Sequence, residues 1–189
     1  MKSSKILEIS QYWPTAEDKL FFDTNVWMYL FCPIGNYNAE RVAQYARFLK
    51  RGLRVGAKVY ISSLILSEFY NSYARLEFNL WRRKSGNHRK SFKKHFRKTS
   101  QYQRVAQDIK LVIQSQILKF AEKINDDLAI LEFERLFHGI ERSDFNDNYY
   151  LALCEKRGFK FISDDRDFHG HDFDMIILTC NKELLYGQS

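Results

Sequence analysis

The stretch DFNDNYYLALCEKRGFKFISDDRDF, residues 144–168, runs a helix, a glycine turn and a strand together and ends them in acids. Residues 144–156 read as the helix and 158–162 as the strand, with Asp164, Asp165 and Asp167 crowded at the strand's end. The same grammar appears upstream. KLFF (19–22) is a strand that runs into Asp23, KVYI (58–61) is a second, and residues 175–178 are a last one. Between them, 39–50 forms a helix: Val42, Tyr45, Ala46 and Leu49 share a stripe, Asn38 caps it and Gly52 ends it. A helix capped by Ser62 or Ser63 carries Glu68 and continues to Trp81, before Gly86 and Asn87 interrupt it. Ser100 and Gln103 have capping-box spacing, and Ile109, Ile113, Ile117, Phe120 and Ile124 form one face of the helix that follows. Residues 127–137 fit either helix or strand. Strands alternating with helices predict an α/β fold, a parallel sheet covered by helices. Ligands in such sheets bind beyond the carboxyl ends of the strands.

That topology would bring distant acids together. Asp23 and Asp165 each follow a strand, Glu68 lies in the helix after another, and Asp147 opens the helix before a fourth. Converging carboxylates repel unless a cation sits between them, and hard oxygen ligands suit Mg²⁺ or Mn²⁺. Ions held this way cut phosphodiester bonds. Each acid also has a bland role. Asp23 is a natural helix N-cap. Glu68 would be a solvated helix residue, except that Leu64, Ile65, Leu66, Phe69 and Tyr70 surround it with apolar groups, and an unpaired buried carboxylate is costly. Asp144 and Asp147 share a face at a helix start, where the dipole favours negative charge, so either can be cap or ligand. Asp164 and Asp167 are secondary ligand candidates, or partners of Arg166. Thr24, Asn25 and Ser163 can orient the ligand carboxylates through hydrogen bonds. Asn25 stands where a haloacid dehalogenase-type phosphatase needs a second Asp. His169 and His171 read as a surface loop, and no serine triad, P-loop or GxGxxG is present.

The 189 residues suit one domain with a sizeable core. No run is apolar enough to span a membrane, and the first residues lack the apolar stretch of a signal peptide. Three scattered cysteines, Cys32, Cys154 and Cys180, predict neither a disulfide framework nor a zinc site, which suits a reducing cytoplasm. The net charge is +7, yet residues 82–98 contribute nine cations and no acid, leaving −2 for the rest. Arg82, Arg83, Lys84, Arg89, Lys90, Lys93, Lys94, Arg97 and Lys98 are therefore candidate RNA-backbone contacts. Trp81, Phe92, Phe96 and Tyr102 interleave with them and either pack on the domain or stack on bases.

With these motifs together, the chain resembles the PIN-domain nucleases, the family that includes VapC-type toxins of bacterial toxin–antitoxin pairs. FFDTNVW (21–27) resembles the opening motif, LILSEF (64–69) the second, and residues 144–168 the third and fourth. The resemblance points to Asp147 over Asp144, and to Asp165 in Ser-x-Asp, as ligands. It implies a three-layer α/β/α domain over 1–189 with about five parallel strands, and a basic helical insertion at about 82–104. It also implies a Mg²⁺- or Mn²⁺-dependent endoribonuclease holding one or two ions and leaving 5′-phosphate and 3′-hydroxyl ends. The candidate partners are RNA, an antitoxin protein and a second copy of the chain. RNA processing without an antitoxin, or a non-catalytic RNA-binding or protein-interaction module, are the alternative readings. The chain departs from the compact toxin pattern in its greater length and in the bulky NYYLALC after Asp147.

Overall fold

A computed structural model describes residues 5–84, 86, 88–125, 127–138 and 144–187. Six strands, β1 (Lys5–Glu8), β2 (Lys19–Phe22), β3 (Lys58–Ile61), β4 (Ala121–Lys123), β5 (Lys160–Ile162) and β6 (Ile176–Thr179), form one sheet in the order β1-β6-β5-β2-β3-β4. Every neighbouring pair is parallel. Helices α1 (Thr24–Phe31), α2 (Ala39–Val55), α3 (Ser63–Lys84), α4 (Ser100–Val112), α5 (Phe133–Leu136), α6 (Phe145–Arg157) and α7 (Lys182–Tyr186) complete a three-layer α/β/α fold. Among the described residues no helix is long and apolar enough to cross a membrane.

A parallel sheet with both faces covered needs strands that are apolar throughout. Leu20, Phe21 and Phe22 of β2 are all fully buried. Phe22 points to α2, its ring 6.4 Å from that of Phe48, while Phe21 points to α6, 6.0 Å from Tyr150. The chain leaves β2 towards β3 and β4 on one side and returns to β5 on the other. The sheet's switch point is thus the crevice between β2 and β5, where such folds bind ligands.

Several expectations change. The sheet has six strands because β1 joins its edge beside β6, and β4 joins the other edge beside β3. β4 occupies part of the stretch expected to be helical through Ile124. Helix α4 ends at Val112, a π-helical turn covers Ile113–Ile117, and the chain then extends. Helix α2 runs past Gly52 to Val55 and is capped by Gly56 at φ 83°. Gly52 instead allows close packing, since a Cβ there would lie 2.9 Å from Leu20 Cδ1. The ambiguous stretch resolves into a 3₁₀ turn at Leu128–Ile130 and the short α5.

The insertion is only partly helical. Arg82, Arg83 and Lys84 belong to α3, turns follow, Phe96–Lys98 is a 3₁₀ turn, and α4 begins at Ser100, capped by Thr99 rather than Ser100. Asn87 lies outside the described residues. The aromatics of this segment pack inward. Phe96 is fully buried, with its ring 5.2 Å from Trp81, 5.8 Å from Phe92 and 5.5 Å from Tyr102. Arg83, Lys84, Arg89, Lys90, Lys93, Lys94, Arg97 and Lys98 are exposed and Arg82 is half-buried.

Candidate active site

The site is built where β2 and β5 end side by side. The Asp23 amide donates to the Ile162 carbonyl at 2.9 Å, and Asp23 then leaves the sheet and caps α1. Its Oδ1 accepts the Thr24 amide at 2.6 Å. Its Oδ2 accepts Asn25 Nδ2 and Ser163 Oγ, each at 2.6 Å. Ser163 Oγ also accepts the Asp165 amide at 3.0 Å, so one hydroxyl ties the ends of both strands together. Asp23 is a cap and a cavity-lining acid at once, because the cap uses one oxygen and leaves the carboxylate anchored at the sheet's edge.

Glu68 reaches the same place from the second turn of α3. Thr24 Oγ1 donates to its Oε2 at 2.7 Å and Asn146 Nδ2 to its Oε1 at 2.5 Å. Asp147 projects from the first turn of α6. Asp165 opens the 3₁₀ turn Arg166–Phe168, and its Oδ1 accepts the Asp167 amide at 3.0 Å. Asp23, Glu68, Asp147 and Asp165 all line one open cavity of about 350 Å³, together with Thr24, Asn25, Met28, Tyr29, Tyr37 and Ser72. Gly35 shapes this wall: a Cβ there would fall 2.0 Å from the Tyr37 ring.

The electrostatics are those of a cluster without a counter-charge. Among the described residues no Lys or Arg forms an ion pair with any of the four acids. Burial, then the charges of Asp147 and Asp165 against the help of Ser163 and Thr24, pushes Asp23 up to about 7. Burial, then the charges of Asp144, Asp165 and Glu68, pushes Asp147 up to about 7 as well. The buried Tyr150 phenol is raised by its burial and then by the charge of Glu68 beside it. Among the described residues, no group of three or more His, Cys, Asp or Glu is already drawn together to hold a metal ion. The donor chemistry nonetheless suits a hard divalent cation: four carboxylates face one space, and two resist ionisation there.

The other acids stand apart. Asp144 caps α6, its Oδ1 accepting the Asp147 amide at 3.0 Å. Asp164 is buried and does not line the cavity. It accepts Arg41 Nη1 at 2.7 Å and the Tyr29 and Tyr45 hydroxyls at 2.8 Å each. Asp167 is exposed, 3.7 Å from Arg166 Nε. His171 Nε2 lies 3.0 Å from the Asp167 carbonyl.

Sequence reading assigned no role to Asn146, Tyr150, Tyr29 or Arg41. Asn146 lies between two acids already under suspicion, and nothing in its identity marks it. Tyr150 lies three residues after Asp147, on the same helix face, which was a usable signal. The bulk of NYYLALC is accounted for by burial: Tyr150 packs against Phe21 and Phe161 beneath the sheet.

The PIN domain model matches residues 20–174 of the chain. No curated protein matches it significantly.

Proposed function

The chain belongs to the PIN domain family, and we propose that it is a divalent-metal-dependent endoribonuclease whose site is formed by Asp23, Glu68, Asp147 and Asp165. The observation that carries this reading is their arrangement: four acids from four elements line one cavity at the sheet's switch point, with no cation among them. One or two Mg²⁺ or Mn²⁺ ions would be held by these carboxylates. When bound, such an ion lowers the pKa of water and stabilises charge on phosphate oxygens. The chain's own residues prepare the acids. Ser163 and Asn25 fix Asp23, Thr24 and Asn146 fix Glu68, and the Thr24 amide leaves Asp23 Oδ2 facing its side-chain donors. With Asp23 and Asp147 near 7, a cation has protons to displace at neutral pH, so metal loading strengthens as pH rises. RNA is the substrate in this reading, and its products carry 5′-phosphate and 3′-hydroxyl ends. The cytoplasm is the proposed compartment, supported by three free cysteines.

A toxin restrained by an antitoxin is the finer reading, and exposed apolar surface favours it. Phe133, Phe137 and Phe145 form a chain of ring contacts at the start of α6, beside Asp147, and all three are exposed. Such a patch suits a protein partner seated over the cavity. Purified protein incubated with total RNA in Mg²⁺, Mn²⁺ or EDTA, with the new ends mapped, tests the activity. The expected result is new 5′-phosphate ends with either metal and none in EDTA. Intact RNA under all three conditions would remove the enzymatic reading.

A further inference from the structure

Helix α2 carries Arg47, Lys50, Arg51 and Arg54, and its one acid, Glu40, lies in its first turn. Gln44, Arg47, Arg51 and Arg54 recur at helical spacing and form a stripe about 15 Å long. Ile9 and Ser10, which follow β1, make the opposite wall of a groove of about 330 Å³. The lining contains four cations and no acid. Other cations of this protein are neutralised: Arg41 by Asp164, Arg157 by Asp127 and Lys160 by Asp18. Among the described residues, Arg47, Lys50, Arg51 and Arg54 have no ion-pair partner.

Arg51 shows that the groove is built. Its Nη2 donates to the Ile9 carbonyl at 3.2 Å, and its guanidinium carbon lies 5.9 Å from the Phe48 ring centroid. Its Nε is buried without a partner among the described residues, while Arg47, Lys50 and Arg54 stay exposed. The same guanidinium lies 5.3 Å from the centroid of Trp13, a ring left 75% exposed. A large aromatic standing in solvent beside unneutralised cations matches a strand that offers both phosphates and base faces. An acidic peptide would use the cations and leave the ring idle.

We propose that this groove binds the phosphate backbone of single-stranded nucleic acid, with Trp13 as a stacking platform for one base. The groove begins one turn beyond Arg41, whose guanidinium holds Asp164, the neighbour of Asp165. The helix that carries the groove is thus tied, through Arg41 and Asp164, to the segment that carries Asp165. Only the identification of the bound strand as RNA rests on the ribonuclease reading.

The test measures affinity of the full chain for an oligouridylate of about fifteen nucleotides across a salt series, in an Asp23→Asn background that keeps the RNA intact. Arg47, Lys50 and Arg54 are exposed, so replacing all three with Gln leaves the fold undisturbed. Loss of three phosphate contacts at roughly 0.7 each should shallow the log–log slope by about 2.1, a loss of roughly 100-fold in affinity at 0.1 M salt. Trp13→Ala should weaken binding by roughly tenfold with the slope unchanged. An unchanged slope in the triple variant overturns the proposal, as does absence of oligouridylate binding in the Asp23→Asn protein. So does an oligoglutamate that binds through the three cations while oligouridylate does not. Replacing Arg89, Lys90, Lys93 and Lys94 with Gln reports the separate share of the insertion. Cleavage by the wild-type chain is scored independently. Cleavage with an unchanged slope removes the groove and keeps the nuclease, whereas a shallowed slope without cleavage does the reverse.

Discussion

Asp23 concentrates the physical conflict of this molecule in one side chain. It is buried and accepts three hydrogen bonds, which favour its charge, yet burial and two neighbouring acids hold it near 7. An unfolded aspartate titrates near 3.9 (roughly). The folded state therefore keeps an extra proton between those values, and its stability falls as pH rises through that window. Asp147 contributes in the same direction. Asparagine at position 23 cannot titrate, but it offers one acceptor oxygen where Asp23 uses two, a cost independent of pH. In EDTA, the melting temperature of Asp23→Asn minus that of the wild type should rise steadily from pH 4 to pH 7 (about the two ends of the window). A flat difference would show that Asp23 titrates normally. Asp164, one residue before Asp165, has the opposite character. Its buried carboxylate has Arg41, Tyr29 and Tyr45 as partners, so Arg41→Ala should cost about 1–3 kcal/mol in chemical denaturation, the exposure of Arg41 moderating the loss. No loss would mean that the two tyrosines suffice. The sequence displays three acids in four residues, and only the Ser-x-Asp resemblance singles out Asp165 among them. Three-dimensional contacts separate them: Asp165 lines the cavity, and Asp164 is taken up by Arg41, Tyr29 and Tyr45.

At the scale of elements, caps and strand ends position the chemistry. Asp144 ends one hydrogen bond from the Asp147 amide, and Asn performs that task as well as Asp. Asp144→Asn should leave the melting temperature and RNA cleavage near wild type, while Asp144→Ala should cost about 1 kcal/mol. A large loss of cleavage in Asp144→Asn would give that carboxylate a share in the chemistry. The strands β2 and β3 were legible to the residue, because apolar runs bounded by charge or serine leave one reading. The edge strands were not. β4 is three residues long, and Phe120 and Ile124 flank it at spacings that continue the helical stripe of α4. Its pairing with β3 decides its state, and pairing is invisible in a local pattern. Gly52 departs from its expected role for a related reason. A glycine after an apolar stripe signals a helix end, but here it makes room for Leu20, a contact between residues distant in sequence.

Across the whole molecule, the parallel sheet converts order along the chain into position in space. Asn25, in α1 just after β2, and Ser163, just after β5, are 138 residues apart, yet their side chains approach to 3.4 Å. The acids collect at the switch point, while among the described residues the cations of the insertion and of the α2 groove form no ion pairs. The insertion was visible as a charge run. The groove was not, because its cations are spread through an ordinary amphipathic helix and become a site only when the chain after β1 lies beside them. The central claim is that Asp23, Glu68, Asp147 and Asp165 act as one site from which Asp164 is excluded. The direct measurement is single-turnover cleavage of one RNA, in saturating Mg²⁺, by Asp23→Asn, Glu68→Gln, Asp147→Asn, Asp165→Asn and Asp164→Asn, each confirmed folded. The first four should each lose more than about 100-fold, beyond the loss typical of residues that only orient a ligand, while Asp164→Asn stays within about tenfold of wild type. Near-wild-type cleavage by any of the first four, or a loss in Asp164→Asn as large as theirs, would contradict the claim.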